Sequence, residues 1–105
     1  MTEIDFERAR AAHLALKDFF ATHPKGRLDA AAFIDVQSLC RAAERALPDP
    51  EIRQALRSIE SYSSLLASQE PPARGADFIR LRVQNALASF RSKLKALEAD
   101  RADIL

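Results

Sequence analysis

The sequence predicts an all-α fold: a small four-helix bundle of up-down topology with a long C-terminal helix. Three observations predict it. Apolar residues recur at helical spacing in four separate segments. Those segments are divided by the chain's five prolines and two glycines. The composition favours helix, being rich in Ala, Leu and Arg, poor in β-branched residues and without tryptophan. At 105 residues the chain is read as one domain, residues 1–105, with room for a single modest core.

The first helix is expected from Glu3 to Thr22, with Thr2 as N-cap and Glu3, Asp5 and Glu7 placing negative charge at the positive end of the dipole. Its apolar arc is Phe6, Ala9, Ala12, Leu16, Phe19 and Phe20, with His13 at the edge and Leu14 pointing elsewhere. His23-Pro24-Lys25-Gly26 ends it, because the residue before a proline is disfavoured in helix. The second helix opens at Asp29, with Leu28 and Phe33 spaced as a hydrophobic staple. It runs to Leu47 and buries Ala32, Phe33, Val36, Leu39, Cys40, Ala43 and Leu47, leaving Ile34 off the arc.

Pro48-Asp49-Pro50 is the clearest punctuation. Asp49 caps, and Pro50 takes the first helical position, where its missing N–H costs nothing. The third helix buries Ile52, Ala55, Leu56, Ile59, Tyr62 and Leu66. Its serine-rich end (Ser58, Ser61, Ser63, Ser64, Ser68) is read as polar, with Leu65 off the arc. Gln69 to Ala76 is a loop, or a loop followed by an early turn starting at Pro72. The fourth helix, Asp77 to Asp100, is the longest stretch without proline or glycine. The tail from Arg101 either continues it or frays, and Ile104 and Leu105 are apolar enough to dock.

The fourth helix carries two stripes. Ile79, Val83, Ala86/Leu87, Phe90, Leu94 and Leu97 form the core contact. Phe78, Leu81, Asn85, Ala88 and Ser92, continued by Ala96 and Ala99, lie roughly opposite. Small residues let another helix approach closely, and Phe78 with Leu81 supply an anchor. These five are the candidate partner-binding residues, and a homodimer through this helix is the natural form. The alternative is a monomer with an Ala/Ser-rich solvated face.

Between Arg80 and Lys95 the helix holds five cations and no acid: Arg80, Arg82, Arg91, Lys93 and Lys95. They are the candidate nucleic-acid contacts of a second reading. A helical wheel puts Arg80, Arg91 and Lys95 on one side of the core arc and Arg82 and Lys93 on the other. Flanking cations more often snorkel or pair with acids such as Glu44, Glu51 and Glu60. Nucleic-acid contact would need Lys25, Arg27 or Arg74 on the same face. The formal net charge of +1 adds no global attraction to polyanions.

Motifs for chemistry are sparse. Arg8-x-x-x-x-His13 resembles the ribonuclease motif of HEPN domains, which are also small helical bundles. The resemblance implies a histidine that exchanges a proton while the cation holds a phosphate. It covers two residues, and it departs from the family in lying on the first helix, with Ala9 after the arginine. His13-Leu14-Ala15-Leu16-Lys17-Asp18 is similar to the phosphorylated-histidine segment of phosphotransfer bundles, but the lysine is one place late and the glycine is missing. No catalytic residue is therefore assigned, and the chain is read as not an enzyme. Cys40 reads as a buried small hydrophobe. Two histidines and one cysteine offer no metal spacing, and two isolated glycines offer no phosphate loop, so no metal or cofactor is expected.

The N-terminal run mixes acids and bases and does not read as a signal peptide. No apolar run approaches the ~20 residues of a membrane span. A cytoplasmic protein is expected, with one cysteine in keeping with a reducing compartment. The Arg and Ala bias suits a GC-rich bacterial genome. The functional expectation is a non-enzymatic protein-interaction module: a small adaptor, regulator or inhibitor presenting a helical surface.

Overall fold

Aspartates set the start of three helices. In the computed structural model, which describes residues 4–23, 28–67 and 76–104, helix α1 spans Phe6–Thr22, α2 Ala30–Ala46, α3 Pro50–Ala67 and α4 Ala76–Ile104. Asp5 accepts the Arg8 amide at 3.0 Å, Asp29 the Ala32 amide at 2.7 Å, and Asp49 the amides of Glu51 and Ile52 at 3.0 and 3.1 Å. Each satisfies donors that a helix start leaves orphaned.

The first cap corrects the expectation at Thr2. Asp5 has extended backbone, and its own N–H goes to the Ala46 carbonyl at 2.8 Å, so the helix begins at Phe6 and not at Glu3. At the end of α2, Leu47 leaves the helix while its N–H still reaches the Ala43 carbonyl. At its other end α4 starts at Ala76 and continues past Asp100 to Ile104. Thr2, Pro72 and Leu105 lie outside the described residues, as do the side chains of 101–104.

The helices form a ring. Helix α1 packs on α2 and α4, and α3 packs on α2 and α4, while the backbones of the two diagonal pairs do not approach closely among the described residues. Opposite ends of neighbours are joined. The start of α1 meets the end of α2 through Asp5 and Ala46, and the Leu28 amide just before α2 bonds the Leu66 carbonyl near the end of α3 at 3.0 Å. Along α1 and α4, Arg10 pairs with Glu98 at 3.4 Å, and Arg80 donates to the His23 carbonyl. The molecule measures 51 × 22 × 21 Å.

The core is built from the expected arcs. Leu16, Val36, Leu47, Ile52, Leu56, Ile59, Leu66, Val83 and Phe90 are essentially inaccessible. Each such side chain contributes roughly 1.5–3 kcal/mol of burial. Phe6, Phe19, Leu39, Tyr62 and Leu97, expected inside, are half-buried residues packed on the core's edge, and Phe33 is also half-buried. They sit at the margins of their arcs, partly open to solvent.

Two residues enter the core unannounced. Ala46 is buried on α2, and Ser63 is fully buried on α3. The serine-rich end of α3 is therefore not uniformly polar: Ser63 lies one turn beyond Ile59 and one before Leu66, on the axis of the apolar arc. Its hydroxyl has no hydrogen-bond partner among the described residues.

Candidate functional surfaces

On the outer face of α4, Phe78 is 55% exposed and Leu81 56%, and Asn85, Ala88 and Ser92 are also exposed. All five candidate partner-binding residues therefore face away from the bundle. The Arg82 guanidinium lies 4.8 Å from the Phe78 ring centroid, covering its face as a cation–π partner. Leu65 of α3, also exposed, joins this surface by register. Glu51 of α3 pairs with Lys93 of α4 at 3.5 Å. Leu65 stands almost four turns after Glu51 on the same side of α3, and Phe78 about four turns before Lys93 on the same side of α4. Leu14 and Ile34 are exposed on α1 and α2, away from this patch.

The five cations of α4 go to different places. Arg80 donates to the end of α1, Lys93 pairs with Glu51, and Arg82 covers Phe78. Arg91 and Lys95 line a groove against α1. The split over both flanks, read on the wheel, is the one observed. Lys25, Arg27 and Arg74 lie outside the described residues.

That α1/α4 groove, of about 310 Å³, contains Arg10, His13 and Lys17 from α1 opposite Arg91, Lys95 and Glu98 from α4, with Leu14 and Leu94 beside them. His13 is half-buried between the two helices. Its Nε2 lies 3.1 Å from the Leu87 carbonyl oxygen. A carbonyl only accepts, so Nε2 carries the hydrogen and donates it. The ring meets Phe90 edge-on at 5.1 Å between centroids. Burial holds the His13 pKa below the ordinary histidine value; the Leu87 hydrogen bond opposes this, and the nearby charges of Arg91 and Lys17 reinforce it.

The residues of the ribonuclease-like spacing are not brought together. Arg8 is exposed, pairs with Asp5 at 3.4 Å, and belongs to the α1/α2 side of the bundle, whereas His13 faces α4. Cys40 is buried in the core, and burial, with Glu60 and Glu44 nearby, pushes its thiol pKa up to about 12. A thiol so high has almost no thiolate at neutral pH and is a poor nucleophile. Among the described residues, no group of three or more His, Cys, Asp or Glu side chains is placed to hold a metal ion. None of the described helices is long and apolar enough to cross a membrane.

A third surface went unseen in the sequence. Between α1 and α2 runs a groove of about 850 Å³ floored by Ala11, Ala12, Ala15, Ala42 and Ala46. Alanines look like neutral filler in a linear reading, and only the pairing of two helices makes their shared face a trough. No protein-family model, curated protein or solved structure matches this chain.

Proposed function

We propose that the protein is a non-enzymatic interaction module that docks a helix on the outer face of α4, and that a second copy of the chain is one such partner. One observation carries this reading: Phe78 and Leu81 are adjacent on one helix face, each more than half exposed. Single apolar residues at solvent are ordinary, whereas contiguous ones mark contact surfaces.

Self-association is supported by how the face would meet its own copy. Two α4 helices crossing antiparallel about Asn85 set Phe78 against Ser92 of the other copy and Leu81 beside Ala88. Large residues meet small ones, as close helix packing requires. The two Asn85 amides would lie on the two-fold axis, where each can donate and accept. In the cell the same face serves an adaptor, regulator or inhibitor, exchanging self-contact for a partner helix.

Sedimentation equilibrium over a wide concentration range tests the proposal. A reversible dimer is expected, abolished by Phe78→Asp or Leu81→Asp with the helical circular dichroism signal intact. A monomer at every concentration would remove the self-association. Loss of the dimer in Leu14→Asp but not in Phe78→Asp would move the contact to α1.

The five α4 cations as a nucleic-acid face are supported less well, because three of them are engaged at different places on the bundle.

A further inference from the structure

We propose that the α1/α4 groove is a binding site for a compact phosphorylated small molecule, with its phosphate held by Lys17, Arg91 and Lys95. The first ground is charge. The groove gathers four cations and one acid, a formal +3, within a chain whose whole net charge is +1. Glu98 is taken by Arg10 at 3.4 Å. Lys17, Arg91 and Lys95 have no ion-pair partner among the described residues. Like charges brought together by two different helices repel, and an anion between them reverses that cost.

The second ground is shape. A volume of about 310 Å³ is at the lower end of small-molecule sites. Arg91 and Lys95 are one turn apart on α4, so both can reach one phosphate. Leu14, 56% exposed, and Leu94 give the organic part of a ligand an apolar wall. The groove does not suit a polymer. The Arg10–Glu98 pair puts an acid in it, Arg80 on the same flank of α4 is committed to the His23 carbonyl, and Arg82 and Lys93 lie on the opposite flank, so among the described residues no basic track continues from it.

The third ground is His13. With Nε2–H committed to Leu87, further protonation falls on Nδ1. Arg91 and Lys17 oppose that proton. The charged groups around the ring are Arg10 and Lys17 from α1 and Arg91, Lys95 and Glu98 from α4. A bound dianion neutralises the cations, so ligand binding raises the His13 pKa and gives a readout separate from affinity.

The test is an NMR titration of the full chain with phenyl phosphate, inorganic phosphate, sodium chloride at matched ionic strength and a short oligothymidylate. Phenyl phosphate should give saturable amide shifts centred on His13, Lys17, Arg91 and Lys95, and move the His13 imidazole titration to higher pH. The pair Arg91→Gln with Lys95→Gln should weaken it at least about tenfold, the size expected for lost charge-assisted bonds. Lys17→Gln alone should weaken it severalfold, which keeps the test open if the double variant is poorly folded. Shifts no larger than those with chloride, or affinity unchanged in these variants, would overturn the site. Inorganic phosphate binding as tightly as phenyl phosphate would overturn the organic ligand. Oligothymidylate binding more tightly than phenyl phosphate, and depending on Arg82 and Lys93, would replace it with a polyanion face. The site lies on the α1 side of α4, so its failure leaves the outer face untouched.

Discussion

Ser63 and His13 show how single polar residues are handled inside this bundle. The Ser63 hydroxyl is buried without a hydrogen-bond partner among the described residues, and an unsatisfied buried hydroxyl costs about 1–3 kcal/mol. Ser63→Ala is therefore expected to stabilise the fold by about 1 kcal/mol or more, beyond what Ser64→Ala gains at its exposed neighbour; urea denaturation of the two variants measures the difference. His13 has its Nε2–H satisfied by Leu87, but burial and the nearby Arg91 and Lys17 disfavour its charged form. Its folded pKa lies below the unfolded value of about 6.5. The folded state thus binds fewer protons, and this contribution to stability is complete above about pH 6.5 and lost as pH falls through the lower, folded value. The melting temperature should drop between about pH 7.5 and 5.5 by more in the wild type than in His13→Gln. An equal drop in both would place the effect elsewhere.

At the scale of the element, the aspartate caps are the local signals that the fold depends on. Asp49 holds two amides of α3 at once, between Pro48 and Pro50. Asp49→Ala should cost about 1–2 kcal/mol in chemical denaturation, whereas Asp49→Asn should recover most of it. These signals explain why the helices were legible. Asp29, Asp49 and the 3.6-residue arcs act within a turn or two of chain, so the linear sequence contains them. The start of α1 was misplaced for the opposite reason: Asp5 is fixed partly by the Ala46 carbonyl, forty-one residues away. Ser63 was misread because its neighbours Ser61 and Ser64 are exposed, and a run of serines hides the one on the apolar axis. The outer face of α4 was readable because a single helix defines it. The α1/α4 groove was not. Arg10 and Lys17 become neighbours of Arg91 and Lys95 only once two helices from opposite ends of the chain are set side by side.

For the whole molecule, the ring arrangement makes every helix answerable to two others. Phe90 lies where this matters most: fully buried on α4, edge-on to His13 of α1. Phe90→Ala should cost about 3–5 kcal/mol, a large share of the 5–15 kcal/mol that domains of this kind possess. It should lower the denaturation midpoint of all four helices together. A variant in which α1 and α4 loosen while α2 and α3 keep the wild-type midpoint would show that the ring is not one cooperative unit. The two backbone bonds that join neighbouring helices bear on the same question. The Asp5 and Leu28 amides belong to no helix of their own, yet each is tied to a carbonyl that the end of another helix leaves unpaired. Fraying within one helix frees its own amides, but these two are released only when helices part. In hydrogen–deuterium exchange they should act as clocks for separation of the bundle, slow despite lying outside the helices, and quickened in step with global stability by Phe90→Ala.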